Sequence, residues 1–426
     1  PVALRLVWVA QQYKEMEEWD RVAKTLDASM AATETMEDMS LKVSALLSIG
    51  RLAGKTGNGD RLLEALRAAQ TQTAAVDSDQ RRGSFLVVAT QIYQEFPQFS
   101  QEGNRIGIAL ALAQTAVDQI SEPWDKSNIL LQLAQVYKKS GRGDRALAAV
   151  EQAELAIAAS DKAQVRVFTL FPIAQGYDEL GERDRAIATL EKAETAVDQL
   201  EQNSMKANAL LNVAQLYANY EVSDRAAETM EAVLTLLDTI DSPHERVFQS
   251  LNLAQSYSRL GREDQAFAAM DTALETLETL SDDTPSKISA LSQTAHTYKQ
   301  LGAINRAIET LAQAQALVKR QGDAYTQVFF LSGMSHAYLE WGAEDRALAA
   351  IAAAQESSEA IEDRWSKVNA LVNVARGYGQ LGESDRAFEI LAAAQSTSSL
   401  IESEQGKGGA LTAIALAYLG VEPSEQ

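Results

Sequence analysis

The sequence predicts an all-α protein, an α-solenoid of about ten and a half stacked antiparallel helix pairs. A short phrase returns along the 426-residue chain, mostly at intervals of 40 residues, as SGRGDRAL at Ser140, LGERDRAI at Leu180 and LGESDRAF at Leu381. Apolar residues recur at three- and four-residue steps on both sides of its glycine, which is the spacing of amphipathic helices. Because a two-helix unit cannot bury both of its apolar stripes alone, neighbouring units must stack and share one core.

The composition agrees with packed helices and excludes several classes of function. Apolar residues make up 46% of the chain and only seven prolines occur, which disfavours disorder. A net charge of −21 opposes binding to nucleic acid or to an anionic membrane surface, since both need clustered Lys and Arg. The absence of cysteine fits either redox compartment. We expect a cytoplasmic location, although a chain that opens at Pro1 leaves open the removal of an upstream segment.

Two columns of residues set the register of the repeats. The first contains polar residues that we predict to be the N-caps of the second helix, B: Asp20, Asp60, Asn104, Asp144, Asp184, Asp224, Asp264, Asn305, Asp345 and Asp385. The second lies seven residues earlier in the first helix, A, and contains Tyr13, Tyr137, Tyr177, Tyr217, Tyr257, Tyr298, Tyr338 and Tyr378. The chain is then a single solenoid over 1–426, with repeats at about 1–39, 40–79, 80–121, 122–160, 161–201, 202–241, 242–281, 282–322, 323–362, 363–402 and a terminal half-repeat at 403–426.

The residues of one unit resemble a known family, the tetratricopeptide repeats. Small, aromatic and bulky positions fall in that family's order and spacing at Ala254, Tyr257, Gly261, Ala266, Met270 and Ala273. Similar sets recur in most units, and the 40-residue length is closer to the repeats of kinesin light chains than to the shorter members. The resemblance implies a superhelical scaffold that binds proteins on a concave surface lined by the A helices.

A column of cations, broken by Gln327, precedes the A helices, eleven residues before the aromatic position. Its members are Lys42, Arg82, Lys126, Arg166, Lys206, Arg246, Lys287, Lys367 and Lys407. Eleven helical steps return nearly to the face of the tyrosine, so each cation should meet the carbonyl-rich C-terminal end of a B helix. We therefore predict a structural role for this column, and also for the arginine of the repeated phrase.

The opposite face of helix A should be exposed and is our candidate binding surface. Positions −9, −5 and −2, counted from the tyrosine, form one stripe there. We call it the groove stripe, and its candidate contact residues are Asn128, Gln132, Gln135, Phe168, Gln175, Asn208, Asn212, Gln215, Phe248, Asn252, Gln255, Gln293, His296, Phe329, His336, Asn369, Asn373 and Arg376. Carboxamides carry both a donor and an acceptor, so they can bind an extended peptide without reading its sequence. The alternative is that they bridge neighbouring A helices as a structural ladder.

Several residues interrupt or extend this surface. Val88, Pro172, Gly333 and Ala413 stand at position −5 and cannot offer side-chain hydrogen bonds. Phe168, Phe248 and Phe329 are either side-chain pockets for a partner or rings tucked between helices. The insertion EFPQFSQEG, residues 95–103, offers two phenylalanines as a second contact site.

The sequence favours a binding protein over an enzyme. The chain has only three histidines, and no carboxylate recurs beside His296 and His336, so we expect no metal, no cofactor and no catalytic residue. We predict a scaffold that binds a protein or peptide segment in its groove, with a basic partner favoured by the negative charge. Two alternatives stay open: self-assembly into dimers or filaments through the terminal helix GGALTAIALAYLG, and a sensor or regulatory segment of a larger signalling protein or protease.

Overall fold

The computed structural model describes residues 2–100, 105–280, 285–320 and 322–421, and within these ranges every regular element is an α-helix. The all-α prediction is therefore confirmed. The chain forms two compact units, one of residues 1–201 with 219–221 and the other of residues 202–218 with 222–426. Asn104, which we predict to be an N-cap, lies outside the described residues.

The helices of the first unit alternate between A and B, with one additional short helix, α6. They are α1 (Val2–Glu15), α2 (Trp19–Glu34), α3 (Met39–Lys55), α4 (Gly59–Thr73), α5 (Asp79–Glu95), α6 (Pro97–Ser100), α7 (Arg105–Asp118), α8 (Pro123–Lys139), α9 (Gly143–Ala158), α10 (Ala163–Glu179) and α11 (Arg183–Val197). Each A helix packs on the B helix of its own repeat and on both helices of the preceding one.

The second unit continues the same alternation. Its helices are α12 (Asn203–Asn219), α13 (Ser223–Leu237), α14 (Pro243–Arg259), α15 (Glu263–Glu278), α16 (Pro285–Gln300), α17 (Ile304–Val318), α18 (Ala324–Glu340), α19 (Glu344–Glu359), α20 (Arg364–Gln380), α21 (Ser384–Ser398) and α22 (Glu404–Leu419). In both units, the backbones of most A helices lie close to those of the A helices in the adjacent repeats. Among the described residues, the B helices of adjacent repeats have few or no such close backbone contacts.

Backbone hydrogen bonds close the turn from A to B. In the fifth repeat, the amide of Glu182 donates to the carbonyl of Tyr177 at 3.0 Å, and Gly181 between them has a φ of +83°. This left-handed residue and bond pattern is a Schellman motif, which satisfies carbonyls at the end of helix A. The same bond to the column tyrosine is donated by Arg142, Val222, Arg262, Ala303, Ala343 and Glu383.

The predicted N-caps are wrong by two residues. Helix α11 begins at Arg183 with Glu182 as its N-cap, so Asp184 lies inside the first turn. Asn305 is displaced in the same way, as are the aspartates Asp20, Asp60, Asp144, Asp224, Asp264, Asp345 and Asp385. Their charge still favours the helix N-terminus electrostatically, but among these helices only α4 has a side-chain cap, from Asn58.

The column tyrosines join neighbouring repeats. Tyr177 is buried, and its hydroxyl donates to Glu154 Oε2 at 2.8 Å, on helix α9 of the preceding repeat. Tyr378 makes the equivalent bond to Gln355 Oε1 on α19, also at 2.8 Å. The guanidinium of Arg185, from the repeated phrase, lies over the Tyr177 ring, 5.9 Å from its centroid. The arginine therefore has the structural role that we predict for it, as a cation–π partner.

The cation column contacts the ends of the B helices, as the sequence predicts. Arg246 Nη2 donates to the carbonyl of Ile240 at 2.8 Å, and Lys287 Nζ donates to that of Leu280 at 2.8 Å. Lys367 Nζ reaches the carbonyl of Glu359 at 2.9 Å. These bonds satisfy carbonyls that the helix leaves unpaired, so the cations stabilise the turn from B to the next A.

The insertion after α5 folds back onto the preceding repeat. Phe96 and Phe99 pack against the core formed by the first repeats, so they are not the exposed contact site that the sequence suggested. A Cβ added at Gly54 would lie 2.5 Å from the Phe96 ring, and one at Gly59 would lie 2.4 Å from the Phe99 ring. The second repeat needs glycine at both places because these rings occupy the space.

The tyrosine bond predicts a measurable difference between two equivalent substitutions. Tyr177→Phe should lower the free energy of unfolding by about 1 kcal/mol, because it removes the bond to Glu154. Tyr257→Phe is the matched control, since its buried hydroxyl has no hydrogen-bond partner among the residues that the structure describes, and it should be neutral or slightly stabilising. Urea unfolding followed by circular dichroism measures both, and equal losses would contradict this assignment.

The close packing at Gly54 predicts a second pair of outcomes. Gly54→Ala should destabilise the protein by about 1–3 kcal/mol, because the new methyl would overlap Phe96 and Leu62. Gly143→Ala, at an open position in α9, should be stabilising by up to about 1 kcal/mol through helix propensity. The midpoints of chemical denaturation give both values, and a tolerated Gly54→Ala would refute the packing of Phe96.

The buried tyrosines predict a loss of stability at alkaline pH. Burial raises the pKa of Tyr257, Tyr298 and Tyr378, and it raises the pKa of Tyr220 to about 12. These hydroxyls stay neutral in the folded protein after an unfolded chain has begun to ionise, at about pH 10. The contribution of these neutral hydroxyls to the free energy of unfolding is thus fully present below about pH 10, and it is lost as the pH rises towards 12. Urea midpoints measured across this range should fall.

The Tyr177→Phe variant provides the control for this pH dependence. Burial and the Glu154 carboxylate raise the pKa of Tyr177 well above its ordinary value, so its removal should make the decline with pH shallower. An identical slope in the variant and the parent would show that other groups cause the loss.

Candidate functional site

Every residue of the predicted groove stripe lies on an A helix and is at least partly accessible to solvent. The aromatic members Phe248 and Phe329 are strongly exposed, at 50% and 64% of their full surface. Phe168 is half-buried and meets the ring of Phe171 edge-on, with 5.8 Å between centroids, as expected for a tucked ring. Phe168 therefore fits the alternative of a tucked ring, whereas Phe248 and Phe329 are exposed, as a contact with a partner requires.

Position −2 of the groove stripe bridges neighbouring A helices. Arg259 Nη1 donates to Gln215 Oε1 at 2.6 Å, and His336 Nδ1 lies 3.2 Å from Gln380 Oε1. Gln135 donates to Glu179 in the same geometry. Each contact joins position −2 of one repeat to the residue two after the tyrosine of the next repeat. This part of the stripe is a structural ladder, which was the alternative interpretation.

Position −5 is different, because its amides stay available. Asn212 Nδ2 bonds only within its own helix, to the carbonyl and side chain of Asn208 at 3.1 Å. Across the described parts of the chain, no hydrogen bond engages the side chains of Gln132, Asn252, Gln293 or Asn373. Donors and acceptors at these positions face solvent or a ligand.

A cleft of about 690 Å³ lies across α16, α18 and α20 in the second unit. We call it the central cleft. Among its lining residues are six members of the groove stripe, namely Gln293, His296, Phe329, His336, Asn373 and Arg376. The structure thus brings together side chains from three consecutive repeats. Such a volume is typical of protein binding sites.

Gly333 makes room for the central cleft. It stands at position −5 of α18, between repeats in which Gln293 and Asn373 occupy that position. A Cβ built at Gly333 would meet nothing within 4 Å, so the space above it is open. The sequence predicts only that this glycine offers no side-chain hydrogen bond. In the structure, the missing side chain forms the hollow.

The two ends of the central cleft differ in chemistry. Phe329 and Phe330 stand edge-on at one end, with 5.8 Å between ring centroids. Exposed Tyr325 and Trp365 lie nearby in sequence, one helical turn towards the N-termini of α18 and α20. Neither residue is among the predicted contact residues, although a further four-residue step from position −9 leads to both.

The polar end of the central cleft carries positive charge. Arg376 lines it together with His296 and His336, and no carboxylate is among the described lining residues. The nearby carboxylate of Glu340 is paired with Lys299, which lowers the pKa of that carboxyl and keeps it ionised. The His296 ring lies edge-on to Trp341 at 5.1 Å, so its orientation is fixed by packing.

The other stripe residues do not gather at the central cleft. In the first unit, Gln132, Gln135 and Gln175 line a hollow of about 210 Å³ with Pro172. Asn128 and Phe168 line another of about 430 Å³. In the second unit, α12, α14 and α20 carry the remaining residues, which are Asn208, Asn212, Gln215, Phe248, Asn252, Gln255 and Asn369.

The described residues give information on two other kinds of site. They contain no group of three or more side chains placed to ligate a metal ion. None of their helices has both the length and the apolar character needed to cross a bilayer.

Residues 246–320, which span α14 to α17, match the family model of the tetratricopeptide repeat. The match confirms the resemblance predicted from the residues of this segment. Arrays of such repeats are in general scaffolds for protein interaction. No curated protein matches the sequence.

Several solved structures are similar at low sequence identity. One, from Podosopora anserina and described as kinesin light chain nearly identical TPR-like repeats, is 20% identical, with 46% of this chain and 97% of that chain covered at a TM-score of 0.32. Ton1535 from Thermococcus onnurineus NA1 is 13% identical, with coverages of 97% and 99% and a TM-score of 0.33. A Rap protein complexed with competence and sporulation factor is 12% identical, with coverages of 84% and 98% and a TM-score of 0.30.

Proposed function

We propose that this protein is an interaction scaffold that binds an extended segment of a partner protein in the central cleft. The observation that supports this most directly is the pair of unengaged amides, Gln293 and Asn373, on either side of the opening at Gly333. Exposed Phe329 borders the same opening. Apolar area next to unpaired donors and acceptors is what peptide recognition requires.

The spacing of the helices suits an extended chain. Packed helices lie about 8–10 Å apart, and an extended chain advances about 3.3 Å per residue, so one A helix corresponds to roughly three residues of the partner. Gln293 and Asn373 stand two repeats apart and would contact backbone groups about six residues apart. A bulky side chain between them would enter the space above Gly333 and contact Phe329.

Charge within the cleft constrains the partner more closely than net charge does. The net charge of −21 predicts a basic partner, and this prediction remains untested. The lining of the central cleft, however, has Arg376 and two histidines. We therefore propose that the residues entering the cleft are neutral or acidic, because a basic side chain there would meet like charge.

Selection of peptides from a random displayed library on the folded protein tests this proposal. Peptides that bind the parent should bind the double variant Gln293→Ala and Asn373→Ala about tenfold more weakly, from the loss of two hydrogen bonds of about 1 kcal/mol or less each. Gly333→Leu should abolish binding by filling the opening. Fluorescence anisotropy with labelled peptides gives the affinities.

A control variant separates the groove from general surface effects. Gln152→Ala, on the outer face of helix α9, should leave peptide affinity unchanged. All variants should keep the parent melting temperature within a few degrees, since the substituted side chains are accessible. Enriched peptides that bind the double variant and Gly333→Leu as tightly as the parent would refute the central cleft as the site.

A further inference from the structure

The A helices of the first three repeats, α1, α3 and α5, enclose a separate cleft of about 470 Å³. We call it the N-terminal cleft. None of the candidate contact residues of the groove stripe lines it, although Ser44, Ser48 and Val88 stand at stripe positions. Its floor is apolar and includes Leu47, Leu52, Phe85, Val88 and Ile92. The space therefore differs in chemistry from the central cleft, which amides flank.

Small residues in the middle helix create the N-terminal cleft. Counted from Ala53, which takes the place of the column tyrosine, Ser44 and Ser48 stand at positions −9 and −5 of α3, where several other repeats carry Asn, Gln or Phe. The hydroxyl of Ser48 is turned back onto its own helix and donates to the carbonyl of Ser44 at 2.9 Å. The floor thus has space but little hydrogen-bonding capacity for a ligand.

Cations gather along the rim of this cleft, at the C-terminal ends of α1 and α3. Lys14 pairs with Glu15 at 3.0 Å, and Arg51 pairs with Glu95 through two contacts of 3.0 and 3.1 Å. Lys55 also lines the cleft but has no ion-pair partner among the residues that the structure describes. The rim therefore carries one uncompensated positive charge in a chain whose net charge is −21.

We propose that the N-terminal cleft binds a small amphipathic carboxylate, with its apolar tail on the floor and its carboxylate at Lys55. The volume is in the range of small-molecule sites, which are mostly apolar with few polar groups. A peptide backbone fits the floor poorly, because its N–H and C=O groups would be desolvated without partners there. The unpaired Lys55 favours an anionic head group over a neutral or cationic one.

This proposal is independent of peptide binding in the central cleft. Isothermal titration calorimetry of the whole protein with decanoate, below the concentration at which it forms micelles, is the test. Decanoate should bind with a stoichiometry of one, decanol should bind more weakly, and decylamine should bind most weakly.

Two variants place the ligand in the cleft. Ser48→Leu fills the space and should abolish decanoate binding, while its helix propensity leaves the fold intact. Lys55→Gln should weaken decanoate about fivefold, the effect of one exposed charge contact, and leave decanol unchanged. Lys139→Gln, an exposed lysine on α8, is the matched control and should bind decanoate as the parent does.

The possible outcomes are distinct. Loss of binding in Ser48→Leu, with an unchanged melting curve, supports the assignment. Equal binding by Ser48→Leu and the parent, or equal binding of decanoate and decylamine, overturns it. No heat from decanoate at millimolar concentration also overturns it.

Discussion

The fold depends on the tyrosine that is buried near the end of most A helices. Through its carbonyl it accepts the bond that closes the turn to helix B, as Tyr177 does from Glu182. At Tyr177 the hydroxyl also bonds to Glu154 of the preceding repeat, and the ring packs under Arg185 of its own B helix. A single residue thus ties three helices together. Because its side chain points into the stack, positions −5 and −9 must point away from it, and the binding surface follows from this constraint.

The repeat and its structural columns could be predicted from the sequence because they are periodic. The 40-residue interval places the tyrosines, and helical periodicity places the cation column against the B helices, where Arg246 and Lys367 lie. The N-caps could not be located in this way. An aspartate in the first turn of helix B stands only two residues after the N-cap position. The Schellman turn at the end of helix A determines which residue begins helix B, and the repeat pattern alone does not show this.

Contacts between repeats were harder to predict, because they depend on how far one helix is shifted against the next. Position −2 meets a residue 44 positions later, not 40, as with Gln215 and Arg259. A comparison of equivalent columns cannot show that offset. The packing of Phe96 against Gly54 is likewise a contact between an insertion and an earlier turn. In both cases the sequence shows the residues but not their neighbours.

Both clefts form where the repeat pattern loses a side chain. In α18 the position of the amide is occupied by Gly333, and in α3 it is occupied by Ser48. In each case the flanking A helices keep larger residues at the same position, so the hollow lies between them. Pro172 at the same position of α10 also borders two smaller hollows. Ligand sites in such an array are therefore indicated by departures from the repeat, and the residues around each departure decide its chemistry: amides and Phe329 in one cleft, apolar side chains and Lys55 in the other.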